Sequence, residues 1–276
     1  MDERIYLARA ALHMWEEPCI SGIKGSGAVF FSGCGLRCCF CQNHDIAIGS
    51  RGRAVSVERL GEIFLELKEK GAANINLVTG AHYVPQIIEA LDMARRNGLD
   101  IPVVYNSSGY EKTETLKLLE GYVDIYLPDL KYLDPELAQK FSYAPDYVQA
   151  AKAAIGEMVR QTGKCEFGED GYIRKGTIVR HLILPGHTGN SIKALRYLHE
   201  TYGEDIYISI MNQYTPVRKF VEFKELNRKV TKREYEKVLD AAVDMGIQNG
   251  FIQEGETASE SFIPDFDYEG VEKNTP

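Results

Sequence analysis

Four of the chain's six cysteines crowd into SGCGLRCCFCQNHD, at Cys34, Cys38, Cys39 and Cys41. Thiols at this density can close a zinc site, form a disulfide or hold an iron–sulfur cluster. Three residues separate Cys34 from Cys38, and two separate Cys38 from Cys41. So tight a loop can point three thiolates at one face of a cubane. A [4Fe–4S] cluster takes four cysteines as a rule, so three would leave one iron open to a small molecule. Zinc needs a fourth ligand, for which Cys39 or His44 could serve. Cys19 and Cys165 stand alone, however, whereas zinc fingers usually set one cysteine pair against a second, distant one. The spacing favours the cluster and leaves zinc open. Cys39, between the ligand candidates, reads as a small buried hydrophobe.

The rest of the chain must position this loop. Its 276 residues suit one large domain or two small ones, and 44% apolar and 26% charged residues are ordinary for a globular protein. The formal net charge of -8 argues against a nucleic-acid partner held by backbone electrostatics. No apolar run approaches a membrane span and the N-terminus carries no signal-peptide pattern, so the expected location is the cytoplasm. Disulfides are rare there, and clustered cysteines point to metal or redox chemistry.

Ile5 to Trp15 places Ile5, Ala8, Leu12 and Trp15 on one helical face, so residues 1–27 are expected to be a helix and a glycine-rich lead-in. From residue 28 to 253 strands and helices alternate. AVFFSG, NINLVTG, IPVVYNSSG, VDIYLPDLK, GTIVRHLILPG and DIYISIMNQY read as strands, with a short last strand at GFIQ and helical patterns between them. Such alternation implies parallel strands with right-handed crossovers. Periodicity alone fits either a doubly wound open sheet or a full or partial β/α barrel. In both, function gathers at the C-terminal strand ends. Those ends are the cysteine loop, TGAH, NSSGY, PDLK, LPGHTG and NQYTP, and they read as one shared cleft. In PDLK, Asp129 and Lys131 are two apart and face the same side of a strand. Arg180, inside an apolar strand, needs a partner for its charge.

GSGAVFFSGCGLRCCFCQNHD resembles the signature of radical S-adenosylmethionine (SAM) enzymes, and specifically of the pyruvate formate-lyase activating enzyme group. A glycine-rich stretch leads into a Phe-Phe strand, an aromatic (Phe40) precedes the third cysteine, and Cys41, Asn43 and Asp45 follow the group's pattern. HMWEEPCISG, NINLVTGAHYVPQI, VYNSSGYE and GFIQEG look like a less characterised branch of that group. The resemblance covers nearly the whole chain.

It implies an α/β fold, a partial (β/α)6 TIM-like barrel over 28–253, with 254–276 as a C-terminal tail. Cys34, Cys38 and Cys41 would ligate a [4Fe–4S] cluster. SAM would chelate the open iron and be cleaved reductively to methionine and a 5′-deoxyadenosyl radical, which abstracts hydrogen from a substrate. Phe40 would lie against the adenine, near Asn43, and Lys131, with Asp129, would reach the SAM carboxylate. Asn106 and Ser108 would contact the ribose or amino acid. Arg180 would meet a SAM or substrate carboxylate, and Tyr214 would approach the adenosine. Relatives end strand two in a Gly-Gly-Glu-like segment that holds the SAM amino group. This chain has Thr79, Gly80, Ala81 and His82, so the carboxylate is missing and Thr79 or backbone carbonyls would receive the ammonium. His82 and His187 are candidate substrate-side groups. The expected substrate is a glycine of a glycyl-radical partner enzyme, with another peptide or a metabolite as alternative. A non-catalytic zinc or iron–sulfur scaffold is the rival of another class. A flavodoxin or ferredoxin would donate electrons, with no docking patch visible. The tail EGETASESFIPDFDYEG, with Phe262, Ile263 and Phe266 as anchors, would cover the barrel, dock a partner or hang loose.

Overall fold

Parallel strands that follow one another around a sheet without reversing direction close toward a barrel, whereas a doubly wound sheet reverses at a switch point. The computed structural model, which describes residues 4–253 and 264–272, takes the first course. Its strands are β1 (Ile5–His13), β2 (Ser26–Phe31), β3 (Arg53–Val55), β4 (Ile75–Val78), β5 (Val103–Ser107), β6 (Ile125–Pro128), β7 (Glu166–Phe167), β8 (Ile173–Leu182), β9 (Tyr207–Met211) and β10 (Gly250–Ile252). Along the sheet the order is β10-β9-β8-β6-β5-β4-β2-β1-β3, with β7 hairpinned onto β8. Every pair from β2 to β10 on this path is parallel. Among the described residues β10 does not return to β2, so the barrel is partial and open on that side.

Helices cover the outside: α1 (Pro18–Ser21), α2 (His44–Ala47), α3 (Val57–Glu69), α4 (Val84–Arg96), α5 (Thr113–Leu118), α6 (Pro135–Ser142), α7 (Tyr147–Thr162), α8 (Thr188–Tyr202) and α9 (Lys232–Asp244). Ser56 caps α3 by accepting from the Arg59 N–H, and Thr231 and Glu234 form a capping box on α9. Strand side chains alternate in direction. Val29, Phe31, Leu77 and Tyr105 join one core with Leu60, Phe64, Ile87 and Leu91 of the covering helices. Their neighbours Phe30, Val78 and Asn106, with Arg180 of β8 and Ser209 and Met211 of β9, line the barrel's interior cavity.

The expected N-terminal helix is a strand. Residues 5–13 pair antiparallel with β2 and, at Ile5–Leu7, with β3. The segment is buried on both faces, with Leu7 and Ala10 toward the helices and Ala8 toward Phe30 and Phe266. A strand covered on both sides loses its alternation, and its apolar spacing then mimics a helix. Of the tail, residues 264–272 run beside β1. The Tyr268 N–H donates to the Ala8 carbonyl at 3.1 Å, and the Ala10 N–H to the Glu269 carbonyl at 2.8 Å. Arg9 binds Asp267 at 2.7 Å and also Glu269, and Phe266 packs edge-on against Phe30. The other expected anchors, Phe262 and Ile263, lie outside the described residues.

Candidate active site

The cysteine loop leaves β2 at Ser32 and is tied down on both sides. Gly33 adopts φ 100°, and a Cβ there would lie 2.7 Å from the His82 ring, so glycine serves both the turn and the close approach. The Gly33 N–H donates to the Ile46 carbonyl at 2.7 Å, and the Cys39 N–H to the Phe141 carbonyl at 2.8 Å. The loop is thus pinned to α2 and to α6. Cys34, Cys38 and Cys41 line one cavity of about 510 Å³ inside the barrel, together with Phe40, Asn43, Thr79, Ser108, Asp129, Lys131 and Arg180. Cys39 is buried away from that cavity, among the packed side chains near Phe141 and Tyr214.

All six thiols are unbridged. Burial pushes Cys41 up to about 12, with the neighbouring Cys38 adding to the shift and Lys131 opposing it. Burial also raises Cys34 and Cys38, again against the pull of Lys131. Ser142 Oγ donates to Cys38 Sγ at 3.0 Å. Three half-buried thiols that sense one another beside a fixed cation suit a group that binds them as thiolates. A zinc site needs four ligands about one ion, whereas a cubane takes its thiolates on separate irons; here three thiols line the cavity and Cys39 packs elsewhere. The residues present fit the cluster better than a single zinc.

Beneath the thiols runs a buried charge network. Lys131 Nζ lies 2.6 Å from Asp129 Oδ2. Arg180 donates from Nε to Asp129 Oδ1 at 3.0 Å, from Nη1 to Glu16 Oε2 at 3.2 Å and from Nη2 to Asn106 Oδ1 at 2.6 Å. Glu16 Oε1 accepts in turn from Asn76 at 3.1 Å and Asn106 at 3.3 Å. Burial opposes the Asp129 charge, but Arg180 and Lys131 outweigh it and hold the carboxyl below the usual range. Burial dominates at Glu16 and raises its pKa despite Arg180. Glu17 is also raised by burial, it is only 8% exposed, and its Oε2 has no hydrogen-bond partner. At Gly109, with φ 75°, a Cβ would stand 2.3 Å from the Asp129 carbonyl, so glycine lets the ends of β5 and β6 meet.

Several expectations change here. Arg180, which lines the cavity, also has partners within the chain in Asp129, Glu16 and Asn106. Asn106 is engaged on both ends of its amide, by Arg180 and Glu16. Tyr214 is only 1% exposed, lies behind Phe40 with rings 6.2 Å apart, and donates its hydroxyl to the Leu226 carbonyl, so it does not line the cavity. Gly80 packs against Ile87 and Phe31 instead of facing the cavity. His82 abuts Gly33, and His187 packs on Phe141 beside Glu225, both outside the cavity lining. Thr79 does line it, in a left-handed conformation with φ 62°. Glu16, Glu17 and Asn76 escaped the sequence reading. The signals were there: a buried Asn in the apolar run NINLV, and two carboxylates before Pro18 that no helix surface claims.

A partial parallel barrel with a cysteine-lined cavity at its strand ends defines a class of cofactor-dependent enzyme. The radical SAM superfamily profile matches residues 28–198, more than half of the chain, and the chain belongs to that superfamily. Its cofactors are the superfamily's, a [4Fe–4S] cluster and S-adenosylmethionine. An uncharacterised protein of Methanocaldococcus jannaschii is 28% identical over 244 residues, covering 86% of this chain and 67% of that protein. The pyruvate formate-lyase-activating enzyme of Clostridium pasteurianum is 27% identical over 113 residues, covering 39% of this chain and 46% of that enzyme. Among solved structures, Streptococcus suis SuiB bound to its precursor peptide SuiA superposes with a TM-score of 0.53 at 16% identity, covering 82% of this chain and 47% of that one. The [FeFe]-hydrogenase maturase HydG gives 0.54 at 13% identity, covering 83% and 52%. This chain spans about half the length of these two structural relatives, and the likeness shows the fold. Among the described residues no helix is long and apolar enough to cross a membrane.

Proposed function

We propose that this chain is an activating-enzyme-like radical SAM enzyme that abstracts hydrogen from a protein or peptide. The observation that carries the reading is the convergence of Cys34, Cys38 and Cys41 on the cavity that Asp129, Lys131 and Arg180 also line. The three thiolates would hold the cluster, and Phe40, Asn43, Thr79, Ser108 and Lys131 would surround SAM. Bound there, cluster and SAM would supply the radical chemistry that removes a substrate hydrogen. The chain's own residues do the rest. Lys131 offsets the thiolate charge. Arg180, clamped by Asp129 and Glu16, fixes Asp129 and through it Lys131. Thr79 presents its hydroxyl and adjacent backbone where relatives carry a carboxylate. The barrel walls keep water from the reacting atoms.

The barrel's open side supports a macromolecular substrate. Trp15 (58% exposed), Met14 and Ile252 line the cavity and also face solvent there. The resemblance to the activating enzyme points the same way, to a glycine in a partner enzyme. Anaerobic reconstitution with iron and sulfide, then reduction with SAM, tests the chemistry: a broad absorbance near ~400 nm and 5′-deoxyadenosine are expected. One tight zinc and no deoxyadenosine would overturn it. The glycyl target is tested by the radical's paramagnetic signal in a co-occurring glycyl-radical enzyme, and silence across such partners retires that substrate.

A further inference from the structure

A carboxyl group that folding buries needs a hydrogen bond for each oxygen or a cation beside it. Glu17 lacks part of that provision. It is 8% exposed, it lines the cavity, and its Oε2 has no hydrogen-bond partner. Ser209 hydrogen-bonds the carboxyl and Arg180 pulls on its charge, yet burial outweighs both. Its place in the barrel follows from α1. Cys19 and Ile20 of that helix pack on Val104, Leu127 and Ile178, which stand two residues before Asn106, Asp129 and Arg180 on β5, β6 and β8. Helix α1 thus plugs the N-terminal end of the barrel, and Glu16 and Glu17, just before it, form the cavity floor. Ser209 pairs in register with Arg180. A further step of two residues, about 7 Å along a strand, brings Leu182 and Met211 of the cavity wall, on the side of the cysteines. Among the described residues of that wall, the carboxyls of Glu16, Glu17 and Asp129 meet only two cations, Arg180 and Lys131, and Lys131 also answers the thiols. His13 adds no charge, since burial, Arg9 and Arg180 push it down to about 4. A proton can make up the difference, and so can a ligand that brings its own positive charge.

We infer that Glu17 anchors an ammonium group, the side-chain tip of a lysine in the peptide substrate. The inference rests on the reading of the chain as a radical SAM enzyme that acts on a protein or peptide. One free carboxylate oxygen suits the point charge of an ammonium, whereas a guanidinium asks for two. Between the open side, at Met14, Trp15 and Ile252, and the floor, the wall includes Phe251 and Met211, apolar surface against which a lysine stem can lie. SAM carries an ammonium as well. The residues expected around SAM, Thr79, Ser108 and Lys131, stand at the strand ends, however, and Glu17 belongs to the floor below them. The lysine orients the peptide, with its tip against the plug and its backbone toward the open side. A neutral side chain in its place leaves the buried Oε2 without a partner, and that cost is the source of selectivity.

The test uses three probes, the N-acetyl, N′-methylamide derivatives of lysine, norleucine and arginine. Calorimetry measures their binding to the metal-free chain, and to reconstituted chain saturated with SAM so that a probe cannot take SAM's place. The native chain is expected to bind the lysyl probe about tenfold or more tighter than the norleucyl probe, and tighter than the arginyl one. This comparison needs no variant. Glu17→Gln, with a circular dichroism melt as the control for folding, should weaken the lysyl probe about tenfold or more and leave the norleucyl probe unchanged. Equal native affinity for the lysyl and norleucyl probes overturns the inference, as does arginyl binding tighter than lysyl, or a lysyl affinity that Glu17→Gln does not alter. SAM affinity of the reconstituted proteins separates the two sources of ammonium. A loss of SAM binding in Glu17→Gln with lysyl binding intact assigns the carboxylate to SAM and overturns the substrate subsite. Absence of deoxyadenosine from the reduced native protein refutes the proposed function instead, and the metal-free binding still decides the subsite.

Discussion

Replacing Arg180 by Met should be among the most damaging changes this chain can suffer outside its apolar core. The guanidinium joins Asp129, Glu16 and Asn106 at 3.0, 3.2 and 2.6 Å, with its side chain mostly buried. Methionine keeps much of the volume but leaves Glu16 with only the Asn76 and Asn106 amides and Asp129 with only Lys131. Removing one partner of a buried ion pair costs about 3–5 kcal/mol, because the other charge stays behind. Glu16→Gln should cost less, about 1–3 kcal/mol, since Arg180 keeps Asp129 and the amide can still accept a hydrogen bond. The double variant should fall short of the sum by about 1–2 kcal/mol, since the stranded carboxylate is gone. The sign of the pH dependence is fixed too. Burial already raises the Glu16 pKa, and loss of Arg180 removes the main force opposing it. A carboxyl raised on folding gives stability that is complete below its unfolded pKa and is lost as pH rises through the folded one. The Arg180→Met protein should thus recover part of its deficit near pH 5. Urea unfolding of metal-free protein at pH 5 and 7.5 measures all of this. An Arg180→Met loss under about 1 kcal/mol, or one that grows on acidification, would refute the network as described.

Thr79→Gly removes a β-branched residue from φ 62°. It should raise stability by about 1 kcal/mol while weakening SAM binding through the lost hydroxyl; a lower urea midpoint would show that the conformation is unstrained. Burial lifts Glu111 to about 7 despite hydrogen bonds from Ser107 and Tyr105, so stability should decline by about 3 kcal/mol as pH rises from its unfolded pKa to about 7. Glu111→Gln should flatten that slope in pH-dependent urea melts, and an unchanged slope would acquit Glu111. Cys38→Ala and Cys39→Ala separate ligand from bystander: the first should abolish cluster absorbance after reconstitution, the second should retain it, and equal loss in both would contradict the three-ligand set.

The cysteine set, the strand ends and the Asp129–Lys131 pair could be read from spacing, because a tight loop and a two-residue strand period leave side chains little choice of direction. Arg180 was legible as a charge in need of a partner, but not the partner itself. Glu16 arrives from a segment that precedes the barrel and enters its interior between β4, β5 and β8, and local pattern carries no record of such distant meetings. β1 failed for a related reason: coverage on both faces erases the period that distinguishes strand from helix. Tyr214 was misplaced because nearness along a strand end does not say whether a ring turns into the cavity or packs behind Phe40.

The tail's attachment to β1 governs the order in which this molecule can be completed. Arg9 waits for Asp267, 258 residues later, and Glu16 for Arg180 across 164. A chain emerging from the ribosome holds β1 with one edge unsatisfied, and Glu16 without its cation, until most of the barrel exists. Contacts closed over such spans make folding slow, and, the path being reversible, those closed last should be among the first to open.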